Sequence, residues 1–317
     1  MTTLLKTAAA VTFTIAATAA QANVVDLGIG GANLFSLGAF SATSSDVEGS
    51  VLVAGSMSAS SYSVNDKNKD AFSDNNGHGI ALAVGGALSY SNGSIKHGSI
   101  YVGGAKSLSS VGTNDTTTIT TAPVNFTTLS ASVKSTSTNL SKLAATGTVS
   151  TTPWGGMTLT GSGNHKGVEV FNISGSDLSK INNFSFSGLD NNSTLIINVS
   201  GANAIGFNQN GVSLDGFSHY NVLYNFYQST SLNIQSVGVE GNILAPLANV
   251  TGGNGHIDGQ VVVGNWASNV QVNANSFFKP INVPAYGASP VPEPETYAML
   301  LAGLALVGVT ARRKQRA

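Results

Sequence analysis

The chain of 317 residues contains no cysteine. That excludes a disulfide framework, a thiolate metal site and a cysteine nucleophile, so stability has to come from packing and backbone pairing. Charge is scarce as well. Only 9% of residues carry it, against roughly 25% in an average soluble domain. Setting aside Lys6, the cations Arg312, Arg313, Lys314 and Arg316, and the acids Glu293 and Glu295 leaves nine basic residues against thirteen acidic ones, with no basic run. Such a mildly acidic body excludes nucleic acid as a partner, because its recognition needs a basic face. What fills the chain instead is glycine, 37 of 317 residues, with abundant Ser, Thr and Asn. These residues favour turns and are poor helix formers, so the fold is expected to be mostly β.

The two ends differ from the body. Lys6 precedes the apolar stretch TAAAVTFTIAATAA, and Ala20-Gln21-Ala22 supplies the small residues that a signal peptidase reads. Residues 1–22 are therefore expected to be a secretory signal peptide, cleaved before Asn23. At the other end, the run from Thr296 to Ala311 is uncharged. As a helix it would be about 24 Å long, short of the ~30 Å hydrocarbon core. The cations Arg312, Arg313, Lys314 and Arg316 behind it would hold that end on the cytoplasmic side of the inner membrane. Pro292-Glu293-Pro294 just ahead of it cannot be helical, since each proline fixes φ and biases its predecessor toward extended backbone. The result is an extended tripeptide displayed next to a short transmembrane segment.

The order VPEPETYAMLLAGLALVG followed by ARRK resembles the PEP-CTERM sorting signal of Gram-negative bacteria, from Val291 to the end of the chain. The resemblance implies processing by an exosortase-type enzyme at Pro292, Glu293 and Pro294, and an exported protein associated with exopolysaccharide and biofilm. The precursor would be held transiently in the inner membrane, and the mature protein placed at the cell surface or in the extracellular matrix. Residues 289–317 are assigned to this signal and residues 23–288 to the body.

Within the body a short motif recurs. Gly49-Ser50-Val51-Leu52-Val53-Ala54-Gly55 aligns with Gly98-Ser99-Ile100-Tyr101-Val102-Gly103-Gly104, with Gly259 to Gly264 and more loosely with Gly241 to Pro246. The interval from Val84 to Val102 equals that from Gly241 to Gly259. A strand recurring at one short interval, with Gly or Asn at the turns, reads as a β-solenoid in which each coil stacks on the last. The longer interval from Val53 to Val84 is then one coil carrying the polar insertion NDKNKDAFSDNNGH. Further strands read from 167–173, 184–186, 194–199, 222–226 and 232–234. Between Pro123 and Ala145 the residues Phe126, Leu129, Val133, Leu140 and Leu143 fall at helical offsets, which predicts one helix with that stripe turned to the solenoid. The fold class expected is thus all-β, a parallel β-helix-like solenoid with one flanking α-helix; an antiparallel sandwich is the alternative reading of the same strands.

SDVEGSVLVAG at 45–55, NVLYNFYQSTSL at 221–232, VGVEGNILAPLANV at 237–250 and IDGQVVVGNW at 257–266 resemble the choice-of-anchor A domain, over roughly 26–280. Members of that family carry different surface-attachment signals, and related modules are described as adhesive or collagen-binding-like. The resemblance implies adhesion and brings no catalytic motif.

Chemistry-bearing patterns are few. None of His78, His97, His165, His219 and His256 has metal-ligand spacing, and there is no G-x-S-x-G elbow. No catalytic residue, cofactor or metal is expected, and the protein is read as a non-enzyme. A polysaccharide-acting enzyme is the rival, because Asp46, Glu48, Glu240 and Asp258 lie near recurring glycines and could share an edge as paired acids. An ice-binding-like solenoid is the second rival, although Thr residues cluster at 116–121 rather than forming Thr-x-Thr ladders. Asp66-Lys67-Asn68-Lys69-Asp70 has part of a calcium-loop order, but Ala71 stands where that loop needs Gly and Gly77 where it needs Glu. Tyr62, Tyr90, Tyr101, Trp154 and Trp266 are candidates for stacking on sugar rings of exopolysaccharide or matrix components.

Overall fold

The structure is a computed structural model that describes residues 23–67, 72–164, 167–202, 205–207, 214–283 and 286. The expected signal peptide at 1–22 and the sorting segment, with Pro292, Glu293, Pro294 and the cations at 312–316, lie outside the described residues. The chain is mostly β, with one long helix, Phe126–Leu140, a four-residue helix, Gly175–Leu178, and a short 3-10 turn, Asp215–His219. Its large sheet is parallel, as in a solenoid-like fold. Successive turns of chain contribute up to three strands each, and equivalent strands pair from turn to turn.

The intervals read from the sequence are registers of that sheet. Val84 pairs with Val102 and Ile243 with Val261, so the shared interval is one coil. Val53 pairs with Val84, so the polar insertion sits within one coil. The recurring glycine-bounded motifs fall on one face, where Val51–Val53, Gly98–Val102 and the first residues of Asn242–Gly253 and Val261–Ser268 are stacked.

The order of stacking departs from the expectation that each coil follows the last. From Leu34–Ser36 the chain winds outward through Val51–Val53, Ile80–Val84 and Gly98–Val102 to Thr116–Ile119. The helix Phe126–Leu140 then carries it back along the stack. Winding resumes at Val168–Ser174 and returns through Thr194–Ser200, Asn221–Asn225 and Asn242–Gly253 to Val261–Ser268, which pairs with Leu34–Ser36. First and last coils therefore meet in the middle. A second junction closes there, as Asn23–Val25 pairs antiparallel with Ile281–Val283.

Alternation along each strand makes two cores. Inward residues such as Leu34, Val51, Val53, Val84, Ile243 and Val261 fill the interior of the coils. Their outward neighbours Phe35, Leu52, Ala83, Leu244 and Val262 pack under the helix residues Val133 and Leu140 and beside Val25 and Val283. The helical stripe thus faces the sheet, with Phe126 and Leu129 at its margin. Asn125 caps the helix by accepting from the Thr128 N–H at 3.0 Å. The far end of the stack is closed by the hairpin of Thr148–Thr151 and Gly156–Thr160, with Asn183–Ser187 alongside.

Candidate functional site

The first face lies under the helix, and the other two are open. On the second face, Phe40–Thr43, Met57–Val64, Leu88–Ile95 and Lys106–Gly112 pair in parallel register. Alternation sends Phe40, Met57 and Leu88 into the core, and between them stand exposed serines. Ser41, Ser58, Ser89 and Ser107 form one row across the four strands. Ala267, Thr251 and Asn233 continue it on the neighbouring coils. A second row runs Thr43, Ser60, Ser91, Ser109. Neighbouring strands lie ~4.8 Å apart, so each row repeats a small hydroxyl or amide at about that spacing, interrupted in the first row by Ala267. A shallow groove of about 520 Å³ follows the first row, floored by Ala39, Ser56, Ala87 and Ala105.

Sequence reasoning does not single out these serines, yet a signal is present. The segments FSAT, MSAS, LSYS and KSLS all carry Ser at the second position. Their apolar partners are too few for a hydrophobic pattern to mark them as strands.

The third face carries the acids. Val239, Ile257, Val272, Val47, Val64 and Ile95 stack inward in register and are fully buried. The residues on either side point outward, which brings Glu240 beside Asp258, Asp258 beside Asn273, and Glu48 next in line. The shared edge expected for Asp46, Glu48, Glu240 and Asp258 is therefore formed. Glu48 is compensated, since it pairs with Lys67 at 2.5 Å and accepts from the Ala274 N–H at 3.1 Å. Asp46 accepts from Gln271 at 3.3 Å, and burial raises its carboxyl above the usual range.

Glu240 has no such cation among the described residues. Burial, reinforced by Asp258 alongside, pushes its carboxyl up to about 7. His256 completes the group, its Nε2 lying 3.4 Å from Asp258 Oδ2. Oxygen and nitrogen atoms of Glu240, His256 and Asp258 all come within 4.8 Å of one another. The one-coil interval already sets the acids at 240 and 258 side by side; what the sequence reading left out is His256, which lies opposite Gly238 and joins them.

The other candidates divide. Tyr62, Tyr90 and Trp266 are 1%, 2% and 1% exposed and so are not available to a sugar. Strand alternation turns them inward, where Phe40 lies 5.7 Å from the Tyr62 ring and 6.3 Å from that of Trp266. Tyr101 packs at the edge of the core beneath the helix. Trp154 alone of the five is fully displayed, 85% exposed at the tip of the end hairpin. Asp66 pairs with Lys96 and Lys67 with Glu48, while residues 68–70 of the calcium-like segment lie outside the described residues. His78 pairs with Asp74 and His97 with Asp115, each at 2.9 Å. His165 is outside the described residues.

The fold is a solenoid-like module with Val239 and Ile257 fully buried beneath its acid pair. The family model described as "Putative Ice-binding-like adhesive domain" matches residues 27–274, and the chain belongs to that family. The PEP-CTERM protein-sorting motif matches residues 290–314, which implies an exported precursor anchored in the membrane of a Gram-negative bacterium and processed by an exosortase-type system. No curated protein and no solved structure matches the chain. No helix among the described residues is long and apolar enough to cross a membrane.

Proposed function

We propose that this exported surface protein is a non-enzymatic adhesin that binds exopolysaccharide or other matrix components of a biofilm through its second face. The observation that carries the reading is the row Ser41, Ser58, Ser89, Ser107 with its groove. An extended glycan laid across the strands meets a hydroxyl on each of these four strands, and many weak hydrogen bonds add up along one polymer chain. The adhesive-domain family supports adhesion, and the sorting motif supports delivery outside the cell.

Binding of the purified protein to exopolysaccharide from its host is the direct test. Replacing Ser58 and Ser89 together by Arg, at exposed positions that leave the core intact, should weaken binding at least about tenfold, a change of about 1.4 kcal/mol. Undiminished binding would remove this face from consideration, and normal biofilm in cells lacking the protein would remove the role. The enzymatic rival rests on the Glu240 and Asp258 pair; a glycan-degradation screen showing turnover lost in Glu240→Gln and Asp258→Asn would establish it instead. The flat hydroxyl face also supports ice binding, which thermal hysteresis of the same preparation measures.

A further inference from the structure

Glu240, His256 and Asp258 are held by three features that the binding face does not explain. The first is register. Gly238 pairs with His256 and Glu240 with Asp258, so the imidazole and both carboxyls stand on the same outer side of adjacent strands. The second is room made for the ring. A Cβ at Gly238 would lie 2.6 Å from His256 Cε1 and 2.7 Å from Nε2, so only glycine lets the imidazole lie over that strand and reach the acids. The third is outer support. Asn273 and Asn275 both donate to Asp258 Oδ1, at 2.8 and 3.0 Å, which leaves Oδ2 turned to His256. Asparagines on a ligating carboxylate are the kind of partner that orients a metal ligand.

What the group lacks is a positive charge. Among the described residues no Lys or Arg forms an ion pair with Glu240 or Asp258, although Glu48 and Asp66 nearby each have a lysine. Two carboxyls and an imidazole on a rigid sheet, with no cation between them, form a donor set for a metal ion. Imidazole favours ions of the zinc class over calcium or magnesium, which take oxygen shells. Bonds of about 2.0–2.2 Å to zinc put donor atoms roughly 3.4 Å apart. The donor atoms of the three side chains already lie within 4.8 Å of one another, at most about 1.4 Å beyond that separation.

We infer that Glu240, His256 and Asp258 form a zinc-class metal site on the third face, with three protein ligands and a fourth position open to water or to an oxygen of a bound partner. The site is independent of the serine rows, so either reading stands if the other fails. Calorimetry of the full-length protein in detergent with zinc chloride should give one ion per chain, and zinc should raise the melting temperature. His256→Ala and Glu240→Gln should each lower the affinity at least about tenfold, the loss that even an outer-shell change produces. Both variants alter outward side chains, so their metal-free melting curves report that they fold. Absence of a zinc-dependent rise in the wild-type protein overturns the inference. So does equal zinc binding by wild type and His256→Ala, which would place the ion elsewhere on the chain.

Discussion

Asparagine is used in this protein as a substitute for backbone. Asn225 is fully buried, donates to the Ser137 carbonyl at 2.9 Å and to Asn198 Oδ1 at 2.8 Å, and accepts from the Ser137 hydroxyl at 2.6 Å. Asn198 in turn donates to the Leu140 carbonyl at 2.9 Å. The amides of two coils thereby give a second donor to the helix-end carbonyls of Ser137 and Leu140, which also accept from the Ser141 and Leu143 N–H groups. Asn225→Ala should cost about 1–3 kcal/mol for each buried group left unpaired, read as a lowered denaturation midpoint at unchanged slope. Glycine has a comparable positional role at Gly93. Its φ is +111°, and a Cβ there would lie 1.9 Å from the Tyr62 carbonyl of the coil below. The abundance of Asn and Gly is plain in the composition; which of them are structural is not, because their partners lie a coil or a helix away.

At the level of elements, the sequence is most informative where apolar residues are continuous. Val51–Val53 and the centres of Thr194–Ser200 and Asn221–Asn225 are buried on both sides, one toward the coil interior and one toward the helix, so VLV, LII and VLY read as short apolar runs. The helix is equally legible, since Val133 and Leu140 are buried on it and Leu143 just past its end. The second-face strands are not, because their outer side is serine facing water. The ligand candidates fail for a related reason, as Tyr62 and Tyr90 occupy inward positions of strands that no hydrophobic pattern marks, and Trp266 lies beyond the valine run that marks its strand. The helix is Ser- and Thr-rich and gains its stability from packing rather than propensity. Leu140→Ala should therefore cost about 2–5 kcal/mol, and amide exchange should show the helix loosened before the sheet.

The whole molecule is wound from its centre. Leu34–Ser36 needs Val51–Val53 on one side and Val261–Val263 on the other, close to the far end of the body. Contacts so distant in sequence make folding slow, because the loop must close before the pairing compensates for it. A fragment ending after the helix, near residue 145, should fail to fold cooperatively in circular dichroism and melting experiments. It leaves Leu34–Ser36 with a bare edge and strips the helix of Asn198 and Asn225. Neither the returning path nor the central junction could be read from intervals, since the spacing of one coil is the same whichever way the stack is climbed.

That junction also determines how the body would bear a pull. The chain leading to the sorting motif passes Ser276 and Phe278, bonded to Asn242, and Lys279, bonded to Asn221, before Val283 meets Asn23. Tension drawn through that tether enters at mid-length and along the flank rather than at an end of the stack. The outermost coils at Thr116–Ile119 and Val168–Ser174 are then free of the load path. A ligand dragging on the serine rows works against a beam supported at its centre, and the pairing of Ile281–Val283 with Asn23–Val25 takes the load first, with the asparagine stitches at 221 and 242 behind it.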